Sequence, residues 1–78
     1  MKSKYSKQAQ KFLDSQGETV CARIMNAVSK LPYGDVVKLK GYKNKYRLRV
    51  GDYRIIFERV LDVIQIEIID NRGQAYKA

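Results

Sequence analysis

Apolar residues recur at helical spacing in the first third of the chain and alternate with polar ones through most of the rest. Ala9, Phe12 and Leu13 share one face of a short helix, and Ser6 before them carries the hydroxyl that an N-cap position favours. Gln16-Gly17 ends that helix. A second stripe of Val20, Ile24, Ala27, Val28 and Leu31 predicts a helix over residues 18–31. Leu31-Pro32-Tyr33-Gly34 closes it, because proline disfavours helical backbone at the residue before it. Joined at Gly17, the two helices read as an antiparallel hairpin.

The period then switches to two. Residues 45–50 alternate basic and apolar side chains, Gly51-Asp52 offers a two-residue turn, and residues 53–59 form a second strand. Leu61-Asp62 marks the next turn, and the β-branched residues of 63–69 a third strand. Asp70-Asn71-Arg72-Gly73 is a break, after which Ala75-Tyr76-Lys77 adds a last short strand. Residues 36–39 add another before Gly41. There are no repeats, linkers or low-complexity stretches. The pattern predicts one α+β domain over residues 1–78, with an N-terminal helical hairpin packed on one face of a twisted antiparallel sheet. The other face is left to solvent or to a ligand.

A two-residue loop at Gly51-Asp52 also fixes side-chain facing. Tyr46, Leu48 and Val50 then stand opposite Phe57, Ile55 and Tyr53, an apolar face for the helices. The reverse face pairs Lys45 with Glu58, Arg47 with Ile56, and Arg49 with Arg54. Two like charges directly opposite each other cost a few tenths to about 1 kcal/mol, which folding alone gives no reason to accept. Three arginines gathered on an uncovered sheet face form a cradle for a phosphate. The plainer reading is that their long stems splay outward and salt screens their charges. Side chains pointing to different faces, or arginines tied up in ion pairs within the monomer, would remove the phosphate reading and leave only a basic α+β domain.

Charge sharpens this picture. Sixteen Lys+Arg against eight Asp+Glu give a net charge of +8, and residues 32–54 alone hold seven cations against two carboxylates. Such an excess favours a polyanionic partner. Lys38, Lys40, Lys43 and Lys45 extend the positive field ahead of the hairpin and are candidates for nucleic-acid contact. The chain has no histidine, so His-based triads and metal sites are excluded, and its acidic residues lack ligand spacing, so neither metal nor cofactor is expected. The single cysteine, Cys21, lies in the apolar pattern of the second helix and reads as a core thiol. The first residues have no apolar run of a secretory signal, and 63–69 is interrupted by Gln65 and Glu67, so a cytoplasmic protein with no membrane partner is expected.

These residues resemble the RelE/ParE superfamily of toxins from toxin–antitoxin pairs, in particular its RelE-type members. The resemblance spans nearly the whole chain. It runs from Tyr5-Ser6-Lys7-Gln8-Ala9 through Lys38-Leu39-Lys40-Gly41 to the string Tyr46-Arg47-Leu48-Arg49-Val50-Gly51-Asp52-Tyr53-Arg54-Ile55-Ile56-Phe57, and closes with Ile68 to Gly73 and Tyr76. It implies two helices on a twisted antiparallel sheet whose other face enters the ribosomal A site and cleaves messenger RNA there without a metal. It carries the active positions onto Arg47, Arg49, Arg54, Arg72 and Tyr76. Arginines suit stabilisation of charge on a phosphoryl group; Tyr76 suits stacking or proton transfer. Well-known members have lysines at the positions of Arg47 and Arg49, and since arginine effectively never gives up its proton the general base stays unassigned. The resemblance also implies an acidic antitoxin partner, and a first strand before Tyr5, where β-forming residues are few. A ParE-like inhibitor of DNA gyrase, or a non-enzymatic module that binds RNA or ribosomes, remains an alternative.

Overall fold

The computed structural model describes residues 2–71; Arg72, Gly73, Tyr76 and the expected strand at 75–77 lie outside the described residues. The elements are β1 (Lys2–Tyr5), α1 (Lys7–Asp14), α2 (Glu18–Ser29), β2 (Asp35–Lys38), β3 (Lys45–Val50), β4 (Tyr53–Val60) and β5 (Val63–Asn71). The strands form one sheet in the order β1-β5-β4-β3-β2. Both helices pack on one face of it, the α+β arrangement read from the sequence.

The helix boundaries follow from their ends. The Ser6 hydroxyl accepts the Ala9 N–H at 3.0 Å, capping α1, and donates to the Glu67 carbonyl at 2.6 Å, tying the cap to β5. Gly17 caps α2 without a side-chain bond. The second helix stops at Ser29, two residues short of the apolar stripe, because Leu31 precedes proline. Leu31 is nevertheless buried, along with Ala9, Leu13, Ile24 and Val28 from the helical layer. These meet Leu48, Ile55, Phe57, Ile64, Ile66 and Ile69 from the sheet. Cys21 is half-buried and its thiol donates to the Leu13 carbonyl at 3.0 Å.

The β3–β4 register is the one the hairpin predicted, with Leu48 opposite Ile55 and Arg49 opposite Arg54. Two features differ from the sequence pattern. First, the sheet is mixed, not purely antiparallel, since β1 runs parallel to β5. The Lys2-Ser3-Lys4 segment has no apolar alternation to announce a strand; backbone bonds hold it instead, from Lys2 N–H to Asp62 and from Ser6 N–H to Ile66. The Gln8 amide then continues the pairing, donating to the Ile69 carbonyl and accepting the Ile69 N–H, both at 3.0 Å. Second, β5 continues through Asp70 and Asn71, where a break was expected. A bulge between Ile56 and Phe57 shifts its register, so Phe57 faces Ile66 while Ile56 faces Ile68. Glu67 is the extra residue.

Candidate nucleic-acid interface

Alternation along the strands sorts the side chains. Leu48, Ile55, Phe57, Ile66 and Ile69 point to the helices, so Arg47, Arg49, Arg54 and Ile56 point to the open face. Strand pairing lines them up in rows. Asp35, Arg49, Arg54 and Asp70 stand side by side across β2, β3, β4 and β5. The next row is Val37, Arg47, Ile56 and Ile68, three apolar side chains around one arginine. Beyond it Lys45 faces Glu58, which faces Gln65.

The arginines expected to converge do converge, and each has an acidic neighbour. Arg54 meets Asp70 with two contacts, Nη2 to Oδ2 at 2.9 Å and Nε to Oδ1 at 3.3 Å. Asp35 is shared, its Oδ1 lying 3.5 Å from Arg47 Nη2 and its Oδ2 3.4 Å from Arg49 Nε. The Arg49–Arg54 repulsion is therefore bracketed by carboxylates, and the row as a whole is electrically neutral. This removes the argument that the like-charge pair by itself demands a phosphate. A second observation points the other way. The Nε–H groups of Arg47 and Arg49 are shielded from solvent and have no acceptor in hydrogen-bond geometry, the Arg49–Asp35 contact being long and misaligned. Buried donors are almost always paired, so two without an acceptor leave these guanidinium groups incompletely satisfied, and the exposed parts of both side chains stay open to anionic oxygens.

The lysines divide. Lys45 shares the arginine face but is engaged, 3.1 Å from Glu67 and 5.0 Å from the centre of the Tyr42 ring. Its hydrogen bond to Glu67 pushes its pKa above the ordinary lysine value. Lys38, opposite Tyr46, points by strand parity away from the arginine face, toward the helical side at the sheet edge. Lys40 and Lys43 lie exposed between β2 and β3.

Four residues of this region were not singled out from the sequence. Asp35 and Asp70 escape notice because their positions depend on the pairing of β2 and on the β5 bulge. Arg23 belongs to α2 and Lys30 is its C-cap, and with Asn26 they repeat at helical spacing on its polar face, a signal present in the sequence. They line a cleft of ≈ 320 Å³ between α2 and the β2–β3 edge, which Arg49 and Asp35 also border.

No family model matches the sequence. Toxin RelE3 of Methanocaldococcus jannaschii is 45% identical over 42 residues, which are 54% of this chain and 48% of that relative. The matching segment thus spans about half the length of the curated relative. Among solved structures, a chain of the archaeal RelE–RelB complex from Pyrococcus horikoshii OT3 superposes with a TM-score of 0.78 at 32% identity, covering 94% of this chain and 96% of that one. A chain of the RelB–RelE antitoxin–toxin complex from Methanococcus jannaschii gives a TM-score of 0.76 at 28% identity over 95% of each chain. A chain of the intact E. coli RelBE complex shares the fold alone, with a TM-score of 0.71 at 19% identity. Two helices on a five-stranded mixed sheet are thus the architecture that the chain shares with these toxin–antitoxin structures. The chain belongs to the RelE family.

Proposed function

We propose that the chain is a ribosome-dependent messenger-RNA endoribonuclease that acts with Arg47, Arg49, Arg54, Arg72 and Tyr76. The observation that carries this reading is the gathering of Arg47, Arg49 and Arg54 on the face the helices leave open, where the Arg47 and Arg49 guanidinium groups are incompletely satisfied. In the reaction the 2′-hydroxyl of one nucleotide attacks its own 3′-phosphate. The bond to the 5′-oxygen of the next nucleotide breaks, leaving a cyclic phosphate and a 5′-hydroxyl. Negative charge builds on the phosphoryl oxygens, and fixed guanidinium groups stabilise it with no metal. Arg47 and Arg49 donate to those oxygens, Arg54 and Arg72 add charge, and Tyr76 stacks on a neighbouring base. The intramolecular ion pairs do not block this. Exposed pairs contribute about 0–1 kcal/mol, and a phosphodiester offers the same guanidinium groups a better-matched acceptor than the long contacts to Asp35.

In this reading the substrate is the message in the ribosomal A site, the place of action is the cytoplasm, and an acidic antitoxin restrains the enzyme. The relatives named as RelB–RelE complexes support such a partner. Expression of the chain in a host cell should then arrest growth and leave cuts at codon boundaries of translated messages. Arg49→Ala and Tyr76→Ala should each reduce cutting by about 100-fold or more, the usual effect of losing a group that stabilises transition-state charge. Full toxicity of the double variant would count against the site. The neutral Asp35–Arg49–Arg54–Asp70 row favours a second reading, a module that binds the ribosome without cutting; intact messages on arrested ribosomes would establish it. Intact messages with accumulating DNA breaks would favour gyrase as the target.

A further inference from the structure

The cleft between α2 and the β2–β3 edge differs in its electrostatics from the arginine face beside it. Arg23 on α2 and Lys30 at its C-cap, two turns apart, line it, and neither has a carboxylate within ion-pair distance among the described residues. Its one acid among the described residues, Asp35, is already engaged by Arg47 and Arg49. The cleft therefore carries uncompensated positive charge, unlike the neutral row next to it. Its floor is apolar, made by Ala27, Leu48 and Val50. Its mouth holds Tyr33, 78% exposed, on the turn that enters β2. Gly51 contributes by having no side chain: a Cβ there would lie 2.6 Å from Arg23 Nη2, so the turn leaves the guanidinium room to lie across it.

We propose that this cleft is a second nucleotide subsite, which holds one nucleotide of the RNA strand adjoining the scissile phosphate. Arg23 and Lys30 take its phosphate, Asn26 supplies polar contact, and Tyr33 stacks on its base. The chemistry matches a nucleotide on each count. Two unpaired cations answer a phosphate, and an exposed aromatic ring at the rim answers a base of any identity. The volume of ≈ 320 Å³ falls in the range of small-ligand clefts and is far short of a groove for a helical peptide. Arg49 borders both the cleft and the open sheet face, so one strand can pass from the first to the second by way of Arg49. The inference rests on the RNA-directed reading above, and it adds where the strand goes and which residues set the footprint.

The test uses the whole chain and non-cleavable 2′-O-methyl single-stranded RNA, either a dinucleotide or an oligomer of roughly ten nucleotides, within the footprint range of single-strand binders. Affinity is read by fluorescence anisotropy across a salt series. Arg23→Gln with Lys30→Gln should weaken the oligomer about tenfold and reduce the steepness of its salt dependence by about 0.7, the value for one single-strand phosphate contact. Tyr33→Ala should weaken the oligomer by about fivefold or more with the salt dependence unchanged. The dinucleotide, too short to bridge the two sites, should lose much less than the oligomer. All three positions are exposed, so the variants keep the fold, which circular dichroism verifies. Oligomer affinity equal to the parent in both variants would overturn the proposal. So would an equal weakening of polyglutamate binding, which would mark plain attraction for acidic chains. Cleavage is not measured, so a chain that binds RNA here without cutting it separates failure of the nuclease reading from failure of this one.

Discussion

Arg54 and Asp70 face each other across β4 and β5, joined by contacts of 2.9 and 3.3 Å, and they do so because Glu67 is inserted between them and the β4–β5 turn. Counting from that turn, where Val60 pairs with Val63, an unbroken ladder would set Arg54 opposite Ile69. The bulge advances the strand by one position. Ile69 then turns fully into the core, Asp70 arrives beside the guanidinium, and the Glu67 carboxylate reaches Lys45 at 3.1 Å.

Removing that carboxylate separates stability from binding. Asp70→Asn keeps the shape but removes one of the two carboxylates that bracket Arg49 and Arg54. The pair is about one-third exposed, so the loss is limited to about 1 kcal/mol, seen as a lower denaturant midpoint with unchanged slope. The same variant should bind single-stranded RNA more tightly, since one competing anion is gone. Weaker binding would mean that Asp70 helps to position Arg54 for RNA.

Ser6 holds two structures at once, the start of α1 and the bulged region of β5. Ser6→Ala loses both the cap and the bond to the Glu67 carbonyl. A cost of about 1–2 kcal/mol is expected, the upper part of the range for N-caps. For a chain of 78 residues that is a substantial fraction of total stability. Thermal unfolding checks it, and Ser6→Thr should restore most of the loss.

Leu61 has φ 55° in the β4–β5 turn, the left-handed region that non-glycine residues enter at a cost, and its side chain is exposed. Leu61→Asn should stabilise the protein by about 0.5–1 kcal/mol, because asparagine tolerates that backbone and no core contact is lost. Equal or lower stability on denaturation would show that the Leu61 side chain has a role beyond the turn.

Alkaline pH should weaken the fold while mildly acidic pH spares these contacts. Burial pushes the Tyr5 phenol above its ordinary value, and the Glu67 hydrogen bond raises Lys45. Both groups favour their protonated form more in the folded chain than in the unfolded one. Their contribution is complete below the unfolded-state values of 10.0 and 10.5 and is lost as pH rises through the higher folded ones. Unfolding midpoints measured upward from pH 7 should stay level and then fall above about pH 10, and Glu67→Gln should soften the fall.

The legible parts of this molecule are those that depend on local period and on one tight turn. The apolar stripes of α1 and α2, the Ser6 cap and the register around Gly51-Asp52 all follow from neighbours in sequence, and so does the facing of Arg47, Arg49 and Arg54. What escaped depends on distant pairing. The strand β1, implied by the family resemblance alone, has no pattern of its own, and its parallel pairing exists because β5 offers it a backbone edge. Asp35 and Asp70 are unremarkable in the sequence, and only strand order and the bulge bring them beside arginines. The neutrality of that row was therefore invisible, although every charge in it could be counted. Arg72 and Tyr76, drawn from family resemblance, lie outside the described residues.

The balanced row also divides labour between regions. With Asp35 and Asp70 balancing Arg49 and Arg54 at long range, the far field comes from the cations outside that row, Arg23, Lys30 and the lysines between β2 and β3 among them. Those outer charges govern how fast a polyanion arrives and make arrival sensitive to ionic strength. The guanidinium groups act only at contact, once a phosphate is near enough to compete with a carboxylate. Association and dissociation rates should therefore respond to different substitutions, the first to lysines at the periphery and the second to the centre of the sheet.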